Sequence, residues 1–290
     1  MARPRTWEER QKEAARRDDI EELRAEVEGR QWYHTFELTP GLETPGWFDL
    51  RQDLAKVPMP MNLEGKRCLD IGTFDGFWAF EMERRGGEVV AIDRNEPSGW
   101  DWPAGTTQET IDAINQRKRE GTGFETVHRE FCSNVQRREL SVYDLDPDEI
   151  GTFDFIYLGS LLLHLRDPVK ALSRVRGVCS GQFLLCDAID VTKTVLFPRE
   201  PVAALEGKGR PWWWRPNVCA LERMVDAAGF TRHETKRLRL TPGRGQSPPP
   251  INRATLTNRV LREQVFHARI GDPHAAILCR PGERGVFYPR

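Results

Sequence analysis

No apolar run in the 290-residue chain approaches the roughly 20 residues that a membrane-spanning helix needs. The opening Met1–Arg17 is also too polar for a secretory signal. Cysteine is sparse and scattered. The six, at positions 68, 132, 179, 186, 219 and 279, contain no C-x-x-C pair, so neither a zinc knuckle nor a disulfide framework is indicated. There is no surplus of positive charge either: 43 Lys and Arg stand against 44 Asp and Glu, a net −1. That excludes the global basic signal of a protein gripping nucleic acid mainly through phosphates, although a local basic patch stays compatible. The expectation is a reduced, cytoplasmic, globular protein, long enough to bury a sizeable core.

What is present is unevenly distributed. Met1–Arg30 packs eight Lys/Arg and nine Asp/Glu around a thin apolar stripe of Ile20, Leu23 and Val27. This predicts a charged helix held by that stripe. Residues 31–60 then mix Trp32, Tyr33, His34, Phe36, Trp47 and Phe48 with prolines and glycines. That composition reads as an ordered loop, a leader or lid laid over something else. From Lys66 onward short apolar runs alternate with helical stretches. Arg67–Ile71, Glu88–Ile92, Phe153–Leu158, Gln182–Cys186 and Ala275–Cys279 read as buried strands. Phe77–Arg85, Thr107–Lys118, Pro168–Arg176 and Val218–Ala228 read as helices. Such alternation gives a mostly parallel sheet covered on both faces, an α/β fold occupying 61–290 with a substrate-side insert at about 191–217. Three consecutive prolines place Thr241–Pro250 in a surface loop.

The first strand runs into Asp70-Ile71-Gly72-Thr73-Phe74-Asp75-Gly76 and then a helix. Glycines at such a turn let a ligand lie against backbone at the carboxyl edge of the sheet. Phe74 and Phe77 stand where the dinucleotide fingerprint needs glycine, and the phosphate-loop Gly-Lys-Ser/Thr ending is missing. Asp70 and Asp75 flank the turn, repelling a pyrophosphate and suiting a cation. Asp93 follows the second strand at the spacing of a ribose anchor. Ribose, positive charge and no phosphate together describe S-adenosyl-L-methionine (SAM), whose spent form is S-adenosyl-L-homocysteine (SAH).

Asp70-x-Gly72-x-x-x-Gly76 with Asp93 resembles the SAM-binding signature of class I methyltransferases. The resemblance implies a doubly wound, Rossmann-like sheet of seven strands. Trp32–Leu38, Thr44–Arg51, Gly151–Pro168 and Trp212–Asn217 before Ala228–Phe230 are similar to the group related to the tRNA wobble-uridine (carboxy)methyltransferases. In the carboxy-SAM enzymes of that group a Tyr precedes the His of the Gly151–Pro168 run, and a leader lysine is expected. Here Leu163 precedes His164 and 31–55 contains no lysine, so ordinary SAM is expected. The resemblance further implies that Thr73 belongs to the cofactor turn, that Arg94 sits beside the ribose, that Ser141, Val142 and Tyr143 flank the adenine, and that Gly159 lines the cofactor. Trp47 is either a cover over the cofactor or a core tryptophan.

Methyl transfer to a hydroxyl needs an aligned nucleophile and a proton acceptor. His164 after the fourth strand, His34 in the leader and Asp187 after the fifth are the candidate bases, each with an ordinary structural alternative. Asp190, next to Asp187, is a further acid at that edge, but two aspartates are weak evidence for a metal and none is expected. Trp212–Trp214 cannot all be core in an extended segment, so Trp213 and Trp214, with Asn217 and Tyr33, are expected to contact the acceptor. Arg210 and Arg215 are candidates to pair with an anionic group on it. The leading expectation is O-methylation of a small molecule such as a sugar or secondary metabolite. A tRNA methyltransferase and a SAM-binding protein without catalysis are the alternatives. Association into a homo-oligomer is compatible with the sequence.

Overall fold

Seven strands build one sheet: β1 (Arg67–Ile71), β2 (Glu88–Asp93), β3 (Gln136–Glu139), β4 (Phe153–Gly159), β5 (Cys179–Ala188), β6 (Phe230–Leu240) and β7 (Asp272–Pro281). Their spatial order is β6-β7-β5-β4-β1-β2-β3. The computed structural model describes residues 7–14, 20–95, 100–119, 123–207, 211–248 and 250–283. β5, β4, β1, β2 and β3 run parallel, whereas β7 is antiparallel to both β5 and β6. Alternation along the strands divides the interior into two cores. Cys68, Phe155, Tyr157 and Leu184 face one side, while Leu69, Ile71, Ile156, Leu158 and Leu185 face the other. The helix Phe77–Arg84 and the leader cover the first face; the helices Pro168–Val178 and Val218–Ala227 cover the second.

Two elements depart from expectation. Residues 31–60 are not merely loop: Trp32–His34 pairs in parallel with Gly46–Phe48, and Glu37–Thr39 pairs with Leu42–Glu43. The close approach depends on Gly46, where a Cβ would lie 2.2 Å from the His34 carbonyl carbon. Trp32, Phe36, Leu38, Leu42 and Phe48 are buried in the first core. Trp47 alternates with them and is 44% exposed, so it is not a core tryptophan, nor does it share the face of Phe48 that packs on Tyr33. The second departure is β6, an eleven-residue strand at the sheet edge in which only Phe230 and Leu240 are buried. Its charged run suits an edge strand, which must resist pairing with other chains.

The Thr241–Pro250 loop is fastened at its start, where Pro242 bridges Phe48 and Gly243 N donates to the Trp47 carbonyl. In the helix Ile20–Glu28, Leu23 and Val27 are buried and Ile20 is exposed.

Candidate functional site

Parallel strands bring their carboxyl ends to one edge, so the turns after β1, β2, β4 and β5 converge there. After β1, Gly72 (φ 76°) and Gly76 (φ 90°) take left-handed conformations. A Cβ on Gly76 would lie 2.4 Å from the Phe80 ring and 2.8 Å from that of Phe124, so only glycine fits where the helix Phe77–Arg84 begins. Phe74 is also left-handed (φ 49°), and its N–H donates to Asp93 Oδ2 at 2.9 Å. Asp93 Oδ1 accepts from Arg94 N at 2.7 Å. The end of β2 is thereby bonded to the glycine turn.

Two buried oxygens on this turn, Asp70 Oδ2 and Thr73 Oγ1, make no hydrogen bond of ordinary length among the described residues, although the Thr73 hydroxyl lies close enough to Asp70 to ease its ionisation. Orphaned buried oxygens are costly unless something completes them. An ammonium group, a donor several times over, is what such a pair lacks, and SAM carries one on its methionine moiety. Burial pushes the Asp70 carboxyl up to about 7. If Asp93 anchors the ribose, Asp93→Ala weakens SAM binding by about 1.5–3 kcal/mol in a calorimetric titration. Unchanged affinity contradicts that role.

Asp75 departs from expectation. Its fully buried carboxylate accepts Tyr33 N at 3.1 Å and His34 N at 2.7 Å, and Oδ1 pairs closely with His34 Nδ1. It therefore clamps the leader, satisfying backbone donors that a short strand leaves open, and is not free to face a cofactor. The same contact fixes the His34 ring: Nδ1 is engaged by Asp75, so any base role falls to Nε2, and the buried ring packs on Phe77 at 5.1 Å. Tyr33 packs on Phe48 and Phe74, each at 5.2 Å, with its phenol beside Ser160 and Asp272. Burial, aided by Asp272, raises its pKa and keeps the phenol protonated.

After β4, Gly159 leads into Ser160, left-handed at φ 49°. Ser160 N donates to the Cys186 carbonyl at 2.9 Å, and its Oγ lies 2.9 Å from His274 Nε2. His274 is buried, with Nδ1 3.2 Å from the Asp272 carbonyl. A carbonyl only accepts, so Nδ1 carries a hydrogen and Nε2 is the nitrogen that faces the Ser160 hydroxyl. Asp187 is spent on backbone: Oδ2 accepts from Leu161 N and Leu162 N at 3.0 and 2.8 Å, and Oδ1 from Ala188 N at 2.8 Å. It is a positioning residue for the Ser160–His164 turn and not a base. Burial raises its pKa against the opposing pull of His274. A Cβ on Gly72 would meet Leu161 at 3.3 Å, so this turn lies directly against the glycine turn. His164 Nδ1 donates to the Pro211 carbonyl at 2.6 Å.

On the opposite flank Ser141 caps the short turn Val142–Asp144. The Tyr143 hydroxyl donates to Asp101 at 2.7 Å and accepts from Asp167 N at 3.1 Å. Asp101 also accepts Arg166 N, and its carbonyl receives the Trp213 indole N–H. Trp214 donates its indole N–H to the Arg166 carbonyl at 3.1 Å. Trp213 and Trp214 thus roof the 161–167 turn, half-buried, with Arg166 5.0 Å from the Trp213 ring centre. Asn217 is corrected to a scaffold role. Completely buried, it accepts from Val202 N and Ala220 N and donates to the Phe197 and Glu200 carbonyls, leaving no capacity for an acceptor. Asp190 caps the helix Val191–Leu196, and despite burial its pKa is lowered by Lys193 and Arg215. Arg215 is held by Glu206 and Glu263. Arg210 lies outside the described residues.

The model of a methyltransferase domain family matches residues 44–235, well over half of the chain. The chain belongs to the methyltransferase family. The methyl donor of that family is SAM. An uncharacterized methyltransferase of Schizosaccharomyces pombe is 31% identical over 137 residues, covering 46% of this chain and 44% of that protein. A tRNA U34 carboxymethyltransferase of Pseudomonas paraeruginosa is 27% identical over 181 residues, 61% of this chain and 48% of its own length. The chain thus spans about half the length of the curated relatives it matches. Among solved structures, the N-terminal domain of EvdMO1 with bound SAH aligns over 91% of this chain and 98% of that one, at 16% identity and a TM-score of 0.49.

In this methyltransferase the glycine turn, Asp93, Gly159 and His164 all gather at the carboxyl edge, while Trp47 stands exposed on the leader. The sequence reading missed Ser160 and His274. The signal for His274 was its place just before Ala275–Cys279, but it reaches the carboxyl edge only because β7 runs antiparallel, so that the start of that strand lies there. Among the described residues no group of three His, Cys, Asp or Glu is arranged to hold a metal ion, and no helix is long and apolar enough to cross a membrane.

Proposed function

We propose that this methyltransferase binds ordinary SAM and methylates an oxygen of a small molecule, a sugar or secondary metabolite. Bound SAM supplies the electrophilic methyl group. The Asp70 and Thr73 oxygens hold its ammonium end and Asp93 its ribose, while Tyr143 and Val142 flank the adenine. The reading rests most heavily on the Ser160–His274 pair beside the glycine turn. When an acceptor hydroxyl is methylated, its proton would pass to Ser160 Oγ while the Ser160 proton passes to His274 Nε2. The resulting imidazolium lies close to the Asp187 carboxylate. His164 Nε2, in the same turn, is the competing base.

The near-balanced charge supports a small acceptor. The tRNA U34 relatives favour a second reading, methylation of tRNA. With methyl-labelled SAM, a panel of sugars and phenols and unfractionated tRNA, the first reading expects label in the small-molecule fraction. Label in tRNA, with affinity falling steeply as salt rises, supports the second. His274→Gln is expected to lower kcat by about 10²–10⁴-fold with SAH affinity within about twofold of wild type. Full turnover in that variant, together with loss in His164→Ala, transfers the role to His164.

A further inference from the structure

A groove of about 480 Å³ opens between the 53–57 turn, the helix Val191–Leu196 and the outer edge of β6. Its two sides differ in chemistry. Ile189, Val195, Leu238 and Pro273 give it apolar walls, and Val195 is 68% exposed, an apolar surface open to a partner. Lys56, Arg237 and Arg239 line the same space. Lys56 is paired with Asp53 at 2.7 Å, and Arg239 donates to the Gly271 carbonyl at 3.1 Å. The Arg237 side chain makes no hydrogen bond or ion pair among the described residues, although Glu and Asp saturate so many other arginines of this chain. The groove lies at the same end of the sheet as the Ser160–His274 pair. Ile189 N donates to the Pro273 carbonyl at 3.0 Å, and these residues stand two positions after Asp187 and one before His274.

From this juxtaposition we infer that the groove receives an amphipathic organic anion, an apolar skeleton bearing a carboxylate, sulfate or phosphate, as the acceptor or the part of it remote from the methylated oxygen. The inference rests on the methyl-transfer reading. A cavity of this size suits one small molecule. Nucleic acid is the poorer fit, because a phosphate backbone gains from the cations but has no use for the aliphatic walls. The excess positive charge selects the anion, and the apolar walls supply the area that holds it.

The test uses 1-anilinonaphthalene-8-sulfonate as probe and its uncharged counterpart N-phenyl-1-naphthylamine as control, with SAH binding measured in parallel by calorimetry. Wild type is expected to bind one sulfonate probe per chain. Arg237→Glu, a change at an exposed side chain, is expected to weaken that probe at least tenfold while leaving the neutral dye within twofold. Val195→Asp is expected to weaken both, and SAH affinity is expected to be unchanged in either variant. Sulfonate affinity unmoved by both substitutions, or probe displaced stoichiometrically by tRNA, overturns the inference. Absence of SAH binding in the wild type instead strikes the methyl-transfer reading, which keeps the two failures apart.

Discussion

Asp70→Asn is expected to make the protein more stable and worse at holding its cofactor. Burial raises this carboxyl from an ordinary 3.8 to about 7. A group with a raised folded-state pKa is favoured in its protonated form by the fold. The penalty on the folded state is therefore absent below the unfolded pKa, grows between 3.8 and about 7, and is complete above that. At pH 8 the cost is on the order of 2–4 kcal/mol, and the amide of asparagine escapes it. Urea unfolding should show the variant gaining stability at pH 8 and little at pH 4. Cofactor binding should move the other way. If Asp70 meets the ammonium of SAM, the cation favours the ionised carboxyl and lowers its pKa on binding. Affinity then climbs with pH up to about 7 and levels beyond it, with a slope of at most tenfold per pH unit. Asp70→Asn should flatten this profile and weaken SAM by at least about 2 kcal/mol at pH 8. A variant that binds SAM as wild type does, with the pH profile intact, removes Asp70 from the site.

Asp75→Ala is expected to detach the leader. Removing the carboxylate strands the Tyr33 and His34 N–H groups and the His34 ring in a buried place. Breaking a buried pair in this way costs about 3–5 kcal/mol. Because Trp32, Phe36 and Phe48 belong to the first core, the loss should appear both as lower global stability and as protease cleavage within 31–48. Asp75→Asn keeps one acceptor oxygen for the backbone and should fall between the two. Wild-type stability and protease resistance in Asp75→Ala would show that the aromatic packing alone fastens the leader.

These two residues also mark what was legible in the sequence. Asp70, Gly72, Gly76 and Asp93 announce the turn because their spacing is fixed by local geometry: a strand end, left-handed glycines and a second strand one crossover later. The strand Arg67–Ile71 reads directly, since continuous apolar runs have one stable destination in a parallel sheet. Asp75 has the same local credentials, yet its partners come from 41 and 42 residues away, a distance no spacing rule spans. Asn217 is similar: a polar residue after three tryptophans resembles a ligand until its four bonds to the 197–220 backbone are seen. Ser160 and His274 lie 114 residues apart, and only the reversed direction of β7 makes them neighbours.

Which nucleoside the edge beside Gly72 accepts is decided by titration calorimetry of the intact chain. SAH is expected to bind saturably, one per chain, while ATP and NAD give no heat of binding. Binding of ATP or NAD, with none of SAH, would contradict a SAM site there.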